Sequence, residues 1–208
     1  MILQILFGFL LLCYWRNLPL AYCAETVYGW WFGPKFADPR DCLDRGVTQR
    51  LRAWLGECDF NVHFNNASYT LRTDVARMVL FAAMGVGKLY RESNWRIHNG
   101  GTMWTFRKEI RVFKLYDLET RVVSWDDRWM YVQSTFYEPD TGKVHCTGLC
   151  KMTIKDKRET VPPVDFLRRM TGDDSLPAHG PNAAVFTAGI DNVEKTLLAS
   201  TKPPKAKQ

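Results

Sequence analysis

Asp59-Phe60-Asn61-Val62-His63-Phe64-Asn65-Asn66-Ala67-Ser68-Tyr69 is the stretch that decides how this chain is read. It sets an acid, a histidine and three asparagines close together, directly ahead of an apolar run. That run, residues 67–85, carries Leu71, Val75, Met78, Val79 and Ala82 at helical spacing, and Gly85 is a natural C-terminal stop. It is apolar on more than one face, which suits a helix enclosed by a sheet. Upstream, residues 49–59 partly alternate and predict a first strand. Downstream, four more strands are expected at 102–112, 120–126, 130–138 and 144–154, with turn signals at Asp126-Asp127 and at Pro139-Asp140-Thr141-Gly142. One strand, one long helix and four antiparallel strands make an α+β domain. A single antiparallel sheet wrapped around that helix gives every strand one wet face and one core face.

The 208 residues, 46% of them hydrophobic, are enough for one domain with short extensions and exclude a disordered chain. The net charge of +6 is dispersed. No Lys/Arg block interleaved with aromatics appears, so nucleic acid is not an expected partner; a mild positive field suits a phosphate-bearing substrate or an anionic membrane face. The cysteines at 13, 23, 42, 58, 146 and 150 form no CxxC pair and have no histidine cluster beside them, so no metal or other cofactor is expected and the thiols read as reduced. No Gly-x-Ser-x-Gly elbow is present, which disfavours a serine triad.

Residues 1–24 are apolar apart from Arg16 and a few polar positions, and read as an anchor or a signal segment. An uncleaved anchor would leave Arg16 to snorkel near an interface; cleavage near Ala21–Ala24 would release the domain for secretion. Lys35, Arg40, Arg45 and Arg50 follow the segment and lean toward a domain on the cytosolic side of a membrane. Asn66-Ala67-Ser68 is a glycosylation sequon, and a glycan inside a site at Asn66 would block it, which favours the same side. The remaining divisions are a lead-in at 25–48, rich in Trp, Gly, Pro and Asp; the domain at 49–160; and a C-terminal extension at 161–208. That extension is expected to hold a short helix, polar loops and a disordered tail.

The 59–69 stretch resembles the D-x-N-x-H-x-N-N-x-x-Y signature of hotdog-fold thioesterases of the acyl-ACP type. Its shorter core, an acid followed by a helix start at Asn-x-x-Tyr, is similar to the 4-hydroxybenzoyl-CoA thioesterase group. With Asp74-Val75-Ala76-Arg77, Ser124-Trp125-Asp126-Asp127-Arg128 and the apolar N-terminus, it resembles the thioesterase superfamily member six proteins.

This resemblance implies a hotdog fold and thioester hydrolysis, with acyl-CoA or a related thioester as substrate. It makes Asp59 the nucleophile or general base, with Asn61 and His63 orienting it or polarising water. The helix-start N–H at Asn66 would be the oxyanion donor, and Asn65, Asn66 and Tyr69 would contact the substrate. Other hotdog lineages place a carboxylate on the helix, which makes Asp74 an alternative. A homodimer and an endoplasmic-reticulum membrane are implied in the same way.

Each residue also has a plainer role. Asp59 could simply shape the turn, and His63 could be structural. Asn65 and Asn66 are good capping residues, Tyr69 could pack, and Asp74 could pair with Arg77. A catalytically inactive, membrane-attached acyl-lipid-binding or scaffold member of the family is the alternative to the enzyme.

Overall fold

The computed structural model describes residues 2–18, 20–34, 36 and 38–200, with side chains to 196. The 59–69 stretch sits at the mouth of a helix, α4 (Asn66–Ala83), enclosed by one antiparallel sheet. Asn65 caps α4: its side-chain oxygen accepts the Ala67 N–H at 2.8 Å. Gly85, at φ +85, lets the chain turn out of the helix.

The sheet is built from β1 (Val47–Arg52), β2 (Trp95–Phe106), β3 (Leu115–Trp125), β4 (Met130–Tyr137), β5 (Val144–Asp156) and β6 (Glu159–Val161). Its order is β1-β3-β4-β5-β2, with β6 pairing with β5. Alternation along β3 and β5 turns Val122, Cys150 and Ile154 inward, into one cluster with Val79 and Leu80 of α4 and Met84 just after it, while Tyr116, Leu118 and Cys146 turn inward toward Ala76. A second, mostly aromatic cluster of Phe64, Tyr69, Tyr116 and Phe136 fills the end of the core under the 59–69 stretch. Asp126 closes the β3–β4 turn, its Oδ1 accepting the N–H groups of Arg128 (2.8 Å) and Trp129 (2.7 Å).

The structure departs from the sequence reading in several places. The first strand, expected at 49–59, is β1 at 47–52, and the strand expected at 120–126 is β3 at 115–125, lengthened by its pairing with β1. The strand expected at 102–112 is β2, which runs from 95 to 106. Gly100 and Gly101, just ahead of the expected start, form a bulge where the register shifts against β5, and Asn99 Oδ1 accepts the Gly101 N–H at 2.8 Å. Beyond Phe106 the alternation continues for a different purpose. Residues 110–112 leave the sheet and pair with 62–64, burying Ile110.

The 25–48 lead-in is largely helical rather than irregular: α2 (Ala21–Phe32) begins before it and α3 (Pro39–Arg45) lies within it. Gly29 and Gly33 let α2 lie flush on α4; a Cβ at Gly29 would stand 2.4 Å from Val79 Cγ2.

The C-terminal extension holds α6 (Pro163–Thr171) and the 18-residue α7 (Ala183–Ser200), after α5 (Val86–Glu92) earlier in the chain. Phe186 stacks on Tyr131, with ring centroids 5.3 Å apart. Residues 201–208, expected as a disordered tail, lie outside the described residues.

Arg16 does not snorkel. It is drawn into the protein beneath α1 (Ile2–Tyr14), whose own side chains, Cys13 apart, stay exposed. No single helix among the described residues is long and apolar enough to cross a membrane. The residues 2–17 and 21–32 would pass that test only together, and they are bent by 68°. The six cysteines are free; Cys13, Cys42, Cys146 and Cys150 are buried.

Candidate active site

The loop from Asp59 to Asn65 is held on both sides. Asp59 N–H donates to His63 O at 2.8 Å and Val62 N–H to Asp59 O at 3.0 Å, closing a tight turn. Phe64 N–H donates to Ile110 O at 2.8 Å and Val112 N–H to Val62 O at 3.3 Å, pinning the loop to the segment after β2. The turn forces Val62 to φ +62, the left-handed region, where a β-branched residue is strained. Strain of this kind persists only where surrounding contacts over-determine the backbone, and it concentrates at functional sites.

A cavity of about 320 Å³ opens against this loop. It is lined by Asp59, His63, Phe64, Asn66, Tyr69, Phe106 and the Arg107–Glu109 segment. The Asp59 carboxylate is half-buried, and its Oδ1 accepts the N–H groups of Asn61 (2.9 Å) and His63 (3.3 Å). At the start of α4 the Ala67 N–H goes to the Asn65 side chain. The Ser68 N–H goes to Asn65 O at 2.9 Å, and Tyr69 N–H reaches the same oxygen at 3.4 Å. The Asn66 N–H has no acceptor among the described residues, so the first turn of the helix, whose Asn66 lines the cavity, keeps an unspent donor at its positive dipole end. His63 Nε2 lies 3.6 Å from Glu109 Oε1, in range of ionic attraction but too long for a hydrogen bond.

Tyr69 forms the back wall with its ring edge-on to Phe64 (4.8 Å), Phe136 (4.8 Å) and Phe106 (5.2 Å). Burial pushes its phenol well above the ordinary range, against the pull of a hydrogen bond from the Ile110 backbone. A buried phenol in this position packs as part of the wall. Burial also raises the neighbouring Cys58 thiol to about 11, with the Glu57 and Asp59 carboxylates adding to the shift, so no thiolate nucleophile is available there near neutral pH.

Of the residues marked by the sequence, Asp59, His63, Asn66 and Tyr69 meet at one cavity. Asn61 contributes its backbone to the Asp59 turn while its side chain is exposed, and Asn65 caps the helix. Asp74 is elsewhere: it accepts hydrogen bonds from Tyr22 of α2 and, at 2.7 Å, from Arg77 Nη2. The sequence reading missed Phe106, Arg107, Lys108 and Glu109. The only signal was the charged Arg107-Lys108-Glu109 run interrupting the apolar alternation.

A larger cavity, about 670 Å³, is a different one. It lies between α2, β1 and the middle of α4, lined by Tyr28, Phe32, Leu51 and Val75 among others, and brings no carboxylate together with a free helix-start donor. Among the described residues no cluster of three or more His, Cys, Asp or Glu could hold a metal.

Residues 53–170, which include the whole site, match the thioesterase-like superfamily. The thioesterase poxG of Penicillium oxalicum is 29% identical over 60% of this chain and 53% of its own length. A probable thioesterase of Saccharomyces cerevisiae is 33% identical over 53% of this chain and 49% of its own. The protein THEM6 of Danio rerio is 29% identical over 55% and 56%. The chain spans about half the length of the curated relatives it matches.

Among solved structures, the probable thioesterase YbaW from Escherichia coli superposes with a TM-score of 0.53 at 13% identity, over 59% of this chain and 94% of its own. A 1,4-dihydroxy-2-naphthoyl-CoA thioesterase from Synechocystis gives 0.52 at 7% identity, over 62% and 98%. At such identities the superpositions speak for the fold, and the fold they share is the hotdog.

Proposed function

This chain belongs to the thioesterase-like superfamily, and from that premise we propose that it hydrolyses an acyl-CoA thioester with Asp59 as general base and the Asn66 N–H as oxyanion donor. The observation that carries the proposal is the meeting of a carboxylate and an unspent helix-start donor on one cavity wall. Asp59 takes a proton from water as that water's oxygen bonds to the thioester carbon. The carbonyl oxygen, now an oxyanion, is stabilised by the Asn66 N–H and the α4 dipole. The intermediate collapses, the C–S bond breaks, and the departing thiolate takes up the proton, leaving a carboxylic acid and the free thiol. His63 and Asn61 orient the base, and Asn65 and Tyr69 shape the wall the acyl group meets.

One observation favours a second reading. Asp59 Oδ1 already accepts two backbone N–H groups, as a turn-forming residue would, and a catalytically inactive acyl-lipid-binding member would keep that turn. A hydrolysis screen across acyl-CoA chain lengths separates the two. Measurable turnover that Asp59→Asn abolishes supports the enzyme; no turnover, with acyl-CoA raising the melting temperature, supports the binder.

The protein works as a homodimer in this account. β2 is a long edge strand whose free side is largely exposed, and a second copy would continue the sheet there. Sedimentation at micromolar concentration reads this directly. The exposed apolar α1, about 20 Å long at 1.5 Å per residue, is shorter than a hydrocarbon core and suits insertion into one leaflet, with the domain on the cytosolic side, as at the endoplasmic reticulum. Carbonate extraction should leave the protein in the membrane pellet. Recovery of the full-length chain in the supernatant would contradict the anchor.

A further inference from the structure

We propose that Arg16, carried on the apolar N-terminal segment, is a positioning residue for the oxyanion turn and acts through Glu57; the catalytic part of this inference rests on the thioesterase reading above. Glu57 faces two ways. Its backbone oxygen accepts the Asn65 N–H at 2.8 Å and the Ser68 hydroxyl at 2.8 Å, so it holds the residues that flank Asn66 in sequence. Its side chain is held from three directions: Oε2 accepts from Arg16 Nη1 at 2.8 Å and from the Trp54 N–H at 3.0 Å, while Oε1 lies 3.0 Å from Arg72 Nε of α4.

Arg16 and Arg72 also share Glu25 at the start of α2; Arg16 Nε donates to Glu25 Oε1 at 2.8 Å. Two arginines and two glutamates thus form a neutral quartet at the wall of the 670 Å³ cavity, with the side chains of Glu57 3%, Arg16 7% and Glu25 14% exposed. Its neighbours are fitted to it. Asn17 Nδ2 donates to Gly56 O at 3.0 Å, and a Cβ at Gly56 would stand 2.1 Å from Asn17 Oδ1.

Without Arg16, the buried Glu57 carboxylate and the half-buried one of Glu25 would face the single charge of Arg72. The Leu55–Glu57 turn would have to shift to rehydrate them, and the Asn65–Ser68 backbone hanging from Glu57 O would shift with it. An ångström-scale displacement of a reacting group can cost about 100-fold in rate. The segment bearing Arg16 is accordingly a working part of the folded protein, and cleavage near Ala21–Ala24 would remove it.

The test uses the full chain as wild type, Arg16→Met and Arg16→Lys, with acyl-CoA kinetics and amide hydrogen exchange of the 57–68 peptide. Lysine keeps the charge, and with it the fold, but lacks the guanidinium fork that reaches Glu25, Glu57 and the Arg52 carbonyl together. The expected result is kcat lowered about 100-fold by Arg16→Met and about tenfold by Arg16→Lys, with KM within about twofold and faster exchange at 57–68 in both. Unchanged kcat and unchanged exchange in Arg16→Lys would overturn the proposal, as would a folded protein starting at Ala24 or Glu25 with full activity. If wild type hydrolyses no thioester, the functional reading fails separately, and the exchange rates still decide whether Arg16 fixes the turn.

Discussion

Replacing Asp59 by asparagine separates the two roles the structure gives that side chain. Asp59 Oδ1 accepts the Asn61 and His63 N–H groups at 2.9 and 3.3 Å, and an asparagine offers a carbonyl oxygen at the same place. Asp59→Asn therefore keeps the turn and removes only the base, whereas Asp59→Ala removes both. Losing a positioned general base lowers rate by about 10²–10⁴, or roughly 3–5 kcal/mol of transition-state stabilisation. Losing two charge-assisted hydrogen bonds, one of them long, costs the fold about 2 kcal/mol, or about 4–8 °C in a chain of this size. The assay pairs steady-state acyl-CoA hydrolysis with thermal melts. Asp59→Asn should melt within a degree or two of wild type while losing at least 100-fold in kcat, and Asp59→Ala should lose both. An asparagine variant that turns over within about threefold of wild type would refute the reasoning, because Asp59 would then be only the turn former.

Three further outcomes follow from the geometry. Val62 sits at φ +62, so Val62→Gly should relieve about 1 kcal/mol of net strain and raise the melting temperature by about 2–4 °C; a fall would show that the turn is not strained. Gly29→Val should push α2 off Val79, lowering stability by about 2 kcal/mol and speeding limited proteolysis between α2 and α3; unchanged proteolysis would contradict the close helix contact. Burial and nearby Lys108 hold the buried His145 below the ordinary histidine range, so the native state keeps it neutral while the unfolded chain binds a proton near pH 6.5. The unfolded state then binds more protons, and its stabilising share is lost as pH falls below about 6.5. Melts from pH 7.5 to 5 should show a drop that His145→Gln flattens; equal slopes would contradict the assignment.

What the sequence made legible was whatever depends on local pattern. The helix expected at 67–85 is found at 66–83, and the strands at 130–138 and 144–154 are found at 130–137 and 144–156, because alternation and helical spacing are properties of neighbouring residues. The 59–69 motif brought Asp59, His63, Asn66 and Tyr69 to one cavity for the same reason: they lie on one turn and the first helical turn after it.

Features that depend on distant contacts were not legible. Gly29 is only one glycine of a Gly- and Pro-rich lead-in until Val79, fifty residues away, is seen to need the space. Gly100-Gly101 falls just outside the expected strand until β5 supplies a partner for the bulge. Glu109 shows no tie to His63 until residues 110–112 fold back on 62–64. Arg16 looks like a flaw in an apolar anchor until Glu25, Glu57 and Arg72, drawn from three separate segments, close around it.

The central claim is that one thioester carbonyl meets both Asp59 and the first free amide of α4. A crystal structure with a non-hydrolysable acyl-CoA analogue, in which a methylene replaces the thioester sulfur and the carbonyl is kept, tests it most directly. The account requires the carbonyl oxygen about 2.7–3.1 Å from the Asn66 nitrogen, with the carbonyl carbon facing the Asp59 carboxylate across at most one water. An analogue seated in the larger α2–β1 cavity, with the Asn66 N–H turned to solvent, would contradict it.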